Sequence, residues 1–344
     1  MSKEFTHLER MLAEFNFERP DRVPVFLNNA AATSRAIGVK VGQMLVNADI
    51  FSDALCTSFE KYQYDGIRIN ADVAVETEAM GAKAVYQEDG PCAIKDHPVK
   101  TEADFDKLRV PDPYTDGRMP IMLKTTSLTR KRAGDDVYIA SSCMGPMNIA
   151  SQMLGVDNLM VMCIDDPDFL NRILDFTTQI TINYGKALYE AGATCITMGE
   201  AVCSEKAIGP NFYREFAAPH HKIVIDEFNS LGIKYHTFHI CGPVKNILLD
   251  IADTGVASLD IDAPVDIAES RKMLGNRLCM LGNVAPSELL KSSPERITEL
   301  AKKVLENKEG LGIVLGAGCN MAPDTPEANI RAMVQAAKDF GRYE

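Results

Sequence analysis

No apolar run in this sequence approaches the roughly 18 residues that a helical membrane span requires, which excludes a protein threaded through a bilayer by helices. Basic residues are the minority charge: 36 Lys and Arg stand against 48 Asp and Glu, a net charge of −12. Nucleic acid is therefore a poor partner, because neutralising phosphates needs clustered cations. The first residues, Met1 to His7, lack the basic-then-apolar pattern of a secretory leader and run straight into a charged amphipathic stretch. The nine cysteines are an odd number and are scattered, which argues against a disulfide framework and for a reducing cytoplasm. Tryptophan is missing altogether, and neither that absence nor the 16 methionines points to a function. No repeat, low-complexity tract or linker divides the chain. What is left is an ordinary soluble globule, 46% hydrophobic and 24% charged, with enough apolar material for a large core.

Short β-branched runs alternate with helical patterns. Eight strands are expected: Arg22–Leu27, Gly66–Ile69, Val137–Ala140, Thr194–Met198, Ile233–Phe238, Val256–Ile261, Leu278–Leu281 and Leu311–Leu315. An N-terminal helix, with Phe5, Leu8, Leu12 and Phe15 on its apolar side, precedes them. Pro243 should open a helix whose stripe is Val244, Ile247, Leu248 and Ile251, closed by Gly255. Ser293-Pro294 opens another. In the last, Asp324 and Glu327 have capping-box spacing before Ile330, Met333, Val334 and Ala337. Eight strands in βα alternation predict an α/β fold, a (β/α)8 barrel closed as a single domain over residues 1–344. The stretch from Asp72 to Asp136 exceeds one crossover helix, so part of it is expected to be an insertion that covers the barrel mouth.

Working residues of such a barrel lie at the C-terminal ends of its strands. There the fifth expected strand runs into His239-Ile240-Cys241-Gly242, and the eighth into Gly316-Ala317-Gly318-Cys319. One imidazole and two thiolates suit zinc, and three protein ligands leave a fourth position open for chemistry. The alternative is a core histidine and two unrelated cysteines. His236, three residues before His239 on a strand, points to the other face and reads as structural. Cys195, Cys203 and Cys279 read as small core or loop residues.

Several segments then carry a resemblance that covers nearly the whole chain. Arg19-Pro20-Asp21-Arg22-Val23-Pro24-Val25, Gly145-Pro146-Met147-Asn148-Ile149-Ala150-Ser151 and the run from Ile208 to Pro219 are similar to segments of the uroporphyrinogen decarboxylase superfamily. So are Ile261-Asp262-Ala263-Pro264-Val265-Asp266 and Gly282-Asn283-Val284-Ala285-Pro286. His239-Ile240-Cys241-Gly242, with Gly318-Cys319 and the following Pro323, Thr325-Pro326 and Asn329, resembles the zinc-dependent corrinoid methyltransferases of that superfamily, those of the methylcobamide:coenzyme M type. The decarboxylases share an arginine-rich loop after the first strand. Here that loop is Asn28-Asn29-Ala30-Ala31-Ala32-Thr33-Ser34-Arg35, with one Arg, a weak match for a polycarboxylated porphyrinogen.

The resemblance implies methyl transfer between a corrinoid (methylcobalamin) carried by a partner protein and a small substrate, with His239, Cys241 and Cys319 holding zinc. Two thiolates cancel the charge of the ion, so a coordinated thiol would lose its proton near neutral pH yet stay nucleophilic. The opposite direction, demethylation of an ether, alcohol or amine onto a reduced corrinoid, is equally compatible. Decarboxylation and a zinc-stabilised scaffold are the rival readings, the latter disfavoured because structural zinc has four protein ligands. Glu200, after the fourth strand, is a candidate labile fourth ligand or proton acceptor, or else a solvated rim carboxylate. Asp260 and Asp262, ending the sixth, are candidates for orienting the imidazole or touching substrate, or a helix cap. Asn283, after the seventh, is a candidate polar contact.

Overall fold

The computed structural model describes residues 4–343. Runs rich in β-branched and apolar residues form strands buried on nearly every position: β1 (Gly66–Ile69), β4 (Tyr138–Met144), β5 (Cys195–Gly199), β6 (His236–His239), β7 (Ser258–Asp260), β8 (Cys279–Val284) and β9 (Ile313–Ala317). They pair in parallel in the order β1-β4-β5-β6-β7-β8-β9. This is the α/β architecture of a curled, seven-stranded parallel sheet, with burial on both faces as such sheets require. Two further strands, β2 (Lys83–Val85) and β3 (Ala93–Asp96), form a separate antiparallel pair inside the stretch between β1 and β4.

The first expected strand, Arg22–Leu27, does not join as a strand. Among the described residues it makes only isolated bridges, Arg22 to Arg342 and Val25 to Leu315 of β9. Pro24 has no N–H to give, and the Val25 N–H donates at 2.7 Å to the Asp65 carboxylate instead of to a neighbouring strand. The segment nonetheless spans the gap between the outer strands: Phe26 N donates to Leu315 O, and Asp65 N to Val25 O.

Two apolar layers follow from strand alternation. Tyr138, Ala140, Cys195, Cys279, Leu281 and Val314 face the inside of the curl. The helix His7–Phe15, capped by Thr6 and Glu9 in a capping box, inserts Met11 and Phe15 beneath them. The opposite faces of the strands pack against surrounding helices such as Pro167–Glu190. At the N-terminal end of β1, buried Asp65 gathers Arg10, Arg22 and His7 at 2.7–3.1 Å. Burial alone would raise its carboxyl, but the His7 hydrogen bond and the charges of Arg22 and Arg10 hold it well below the usual carboxylate range.

Two helix starts differ from expectation. Pro243 and Val244 are not helical; a short 3₁₀ turn, Lys245–Ile247, leads into Leu248–Asp253. The last helix is Glu327–Phe340, and no side chain caps it because Pro326 stands at the cap position; Asp324 lies outside the helix and pairs with Arg35 at 2.8 Å. Ser293 caps Pro294–Leu305 as expected. Among the described residues no single helix is long and apolar enough to cross a membrane.

Candidate metal centre

Strand register positions the site. Gly199, His239 and Asp260 lie side by side at the C-terminal ends of β5, β6 and β7. Three residues beyond His239, the chain turns at Gly242, whose φ of 87° lies in the left-handed region that glycine tolerates without strain. Its N–H donates to Asp262 Oδ2 at 2.8 Å, which fixes the loop carrying Cys241. Cys319 follows β9. Gly318 before it packs so closely on the next loop that a Cβ there would stand 2.7 Å from Ala263 N.

These loops bring three donor atoms together. His239 Nε2 is 3.4 Å from each of the two sulfurs, and Cys241 Sγ and Cys319 Sγ are 3.7 Å apart. A tetrahedral zinc with ordinary Zn–S and Zn–N bonds would set its ligands about 3.8 Å (S to S) and about 3.5 Å (S to N) apart. The triangle therefore fits zinc without rearrangement. All nine cysteines are free thiols, so no disulfide competes for the two sulfurs.

Charge around the triangle is matched. Asp260 Oδ2 stands 3.3 Å from His239 Nδ1, an atom that is buried and has no other hydrogen-bond partner. Arg68, from β1, grips Asp260 with both terminal nitrogens and lies over the Phe26 ring. Burial works against ionising Asp260, yet the Arg68 charge and the His239 contact hold its carboxyl down at about 2. Burial likewise disfavours a charged His239, but Asp260 and Cys319 together push it up to about 9. The contact between the two sulfurs pushes Cys319 down from the usual thiol range and Cys241 up from it.

Asp260 is therefore the carboxylate that orients the imidazole. Asp260→Asn keeps the shape and removes the charge. It should weaken zinc binding by about 10–100-fold, the usual cost of losing a partner of a ligand, as read by competition with a chelator. Unchanged affinity would separate Asp260 from the metal.

Other candidates fall elsewhere. Glu200 is neither a rim carboxylate nor grouped with the triangle. It is fully buried, accepts from Met147 N (3.2 Å) and Asn148 N (2.9 Å), and meets His221 Nε2 at 2.8 Å. Its side chain turns toward the start of the helix Pro146–Leu154, where backbone N–H groups need an acceptor. The donor atoms nearest it are those of His221 and Cys203, a separate cluster. Asp262 holds backbone, through Gly242 N and its neighbour Ala263 N, rather than the imidazole. Asn283 donates to Asp262 O and Val265 O, so its amide braces the β7 loop. His236 is buried on the other face, accepts from Ala257 N at 3.0 Å, and is pushed by burial down to about 4.

A cavity of about 330 Å³ opens from His239 and Cys241. Pro91, Cys92 and Ala93 of the β2–β3 hairpin form part of its wall, so this part of the long segment after Asp72 lies against the site. The hairpin loop is tied down by Arg35, which donates to Asp89 at 2.8 and 3.0 Å. Arg68 was read in the sequence only as part of a strand. Its signal was a lone charge inside the apolar run Gly66-Ile67-Arg68-Ile69.

A family model described as uroporphyrinogen decarboxylase (URO-D) matches residues 6–340. Over 345 residues the chain is 29% identical to the methylcobamide:CoM methyltransferase MtaA of Methanosarcina barkeri, covering 98% of this chain and 99% of that one. The solved structure of a methyltransferase from Methanosarcina mazei superposes with a TM-score of 0.90 at 29% identity, covering 98% and 99%. A uroporphyrinogen decarboxylase of Trichodesmium erythraeum is 25% identical, over 86% of this chain and 83% of its own.

Proposed function

The chain belongs to the uroporphyrinogen decarboxylase (URO-D) family, and on that premise we propose that it is a zinc-dependent methyltransferase. It moves a methyl group between a corrinoid carried by a partner protein and a small substrate whose heteroatom meets the zinc. The donor triangle of His239, Cys241 and Cys319 carries this reading, together with the full-length likeness to a methylcobamide:CoM methyltransferase. We read residues 1–344 as one barrel domain acting in the cytoplasm, with the corrinoid protein docking over the mouth that the β2–β3 hairpin borders.

Zinc held there would lower the pKa of a thiol at the open fourth position. The residues do the rest. His239, Cys241 and Cys319 supply a ligand set whose two thiolates balance the ion. Asp260 keeps the imidazole oriented with Nε2 toward the site, and Arg68 neutralises Asp260. Asp262 pins the turn at Gly242, and the hairpin narrows access for water. Toward a thiol, the coordinated group would give its proton to solvent and its sulfur would take the methyl group, with the partner's corrinoid supplying that methyl and keeping both electrons of the bond it gives up. Demethylation of an ether or amine is the same exchange run onto reduced cobalt.

Decarboxylation has less support. Arg35, the single arginine of the Asn28–Arg35 loop, is already paired with Asp89 and Asp324, leaving no spare cation there for a polycarboxylate.

X-ray absorption at the zinc edge tests coordination, since sulfur and oxygen ligands differ in distance by roughly 0.2–0.3 Å. A thiol substrate should raise the sulfur count from two to three and release about one proton at neutral pH. An ether should leave the count at two. Unchanged spectra with a substrate that turns over would rule direct coordination out.

A further inference from the structure

The cavity beside His239 has an unusual charge balance for a site that handles small metabolites. Among the described residues on its wall, only Arg68 and Asp72 carry a full charge apart from the metal-ligand candidates, and each is already matched. Arg68 is held by Asp260 with both terminal nitrogens. Asp72 accepts from Arg118 at 2.8 and 2.9 Å. Beyond the wall, Arg35 sits between Asp89 and Asp324, and Asp89 also takes Lys40 at 3.4 Å. The wall therefore offers an anion no free counter-charge.

What the wall does offer is neutral. Asn28 Oδ1, Ser142 Oγ and Thr197 Oγ1 are buried there without hydrogen-bond partners. Buried polar atoms of this kind normally have one. Arg68 Nε is similarly unpartnered, so it can donate one hydrogen bond to a neutral oxygen. A second carboxylate or sulfonate at Arg68 would leave two negative groups on one buried cation, which the low-dielectric surroundings penalise.

We infer that the substrate entering this cavity is a small, uncharged molecule bearing a hydroxyl or similar neutral polar group at its far end, not an anionic thiol such as an alkanesulfonate. The inference rests on the methyl-transfer reading above and narrows its substrate class. Negative charge that develops at the reacting sulfur is met by the metal; a second negative charge at the far end has nothing to meet it.

Calorimetric titration of the zinc-loaded protein with matched pairs tests this. 2-Mercaptoethanol and 2-mercaptoethanesulfonate share a two-carbon thiol and differ in the charge of the far end. 2-Methoxyethanol and methoxyacetate make a comparable comparison without a thiol. The neutral member of each pair should bind at least about tenfold more tightly, since an unpaired buried charge costs more than that. Equal or tighter binding of the anion in either pair overturns the inference. Asn70→Lys, which puts a cation on the same wall, should raise sulfonate affinity at least about tenfold; no gain would show that wall charge does not discriminate and would also overturn it. Methyl transfer from methylcobalamin, followed alongside, separates the two proposals. Anion-preferring binding with transfer intact removes only the inference, whereas neutral-preferring binding without transfer removes only the methyltransferase reading.

Discussion

Cys319→Ala is expected to lose most of its zinc and its methyl transfer while keeping its fold. Removing a direct ligand leaves two, and should cost more than the roughly 10–100-fold in affinity that follows loss of a ligand's partner. Transfer from methylcobalamin should fall at least in proportion. The barrel should survive because its core lies elsewhere: Cys319 is only partly buried, whereas apolar contacts continue around the whole sheet. Metal content by mass spectrometry and a thermal melt on the same sample check both halves. Cys241→Ala should behave alike. Full zinc occupancy in either variant would mean that the ligand has been misassigned, and a collapsed melt would mean that the metal is structural.

The second large effect lies at the opposite end of the barrel. Asp65 is fully buried and accepts from Arg10, Arg22, His7 and Val25 N. Asp65→Asn removes the negative charge that Arg10 and Arg22 share, and should cost about 3–5 kcal/mol, as breaking a buried ion pair does. Its pH dependence has a definite sign. The folded carboxyl is depressed by its cationic neighbours, while an unfolded one titrates near about 4. The stabilisation is therefore complete above about pH 4 and is lost as pH falls from there toward the depressed folded value. Wild type should lose stability steeply below about pH 4, and the variant should show a shallower acid limb. Parallel acid limbs would show that Asp65 does not contribute through its charge. Catalysis should be little changed at neutral pH, since conserved function in barrels of this kind concentrates at the other face.

The metal triangle was legible because its chemistry is scarce. His239 is the last residue of β6, where side-chain direction is still set by the strand's period of two, and Cys241 and Cys319 follow two residues past their strand ends on loops held by Asp262 and by the close packing of Gly318. The same alternation placed His236 on the far side. Glu200 is buried rather than on the rim because β5 stops at Gly199. One residue past a strand end the alternation no longer applies, and the side chain follows the unpaired N–H groups of Met147 and Asn148. The first strand was overestimated for a related reason. Arg22–Leu27 has the composition of a strand, but hydrogen bonds decide membership, and the proline and the Asp65 carboxylate remove the N–H groups a ladder needs. Asp324 likewise had the spacing of a cap, yet Pro326 stands at the cap position and Asp324 pairs with Arg35, nearly three hundred residues earlier. Sequence spacing sees only local partners. Arg68 and Asp260, whose charges match, are 192 residues apart, and the pairing needed the curled sheet to appear.

Both ends of the described chain come together away from the metal triangle. Glu4, Phe5 and Thr6 border the same broad hollow as Arg342 and Tyr343, and Tyr343 bonds to Glu14 on the first helix. That hollow also includes Arg10 and Asp21, beside the Asp65 cluster and beneath the N-terminal ends of the strands. A tag at either end would therefore emerge from the floor of the molecule. Immobilised on a sensor surface through such a tag, the protein would present its mouth to solution, and a large corrinoid carrier could be flowed over it unobstructed. A carrier fused directly to either end would begin on the wrong side, and its tether would have to climb the full height of the barrel before cobalt could reach the thiolates.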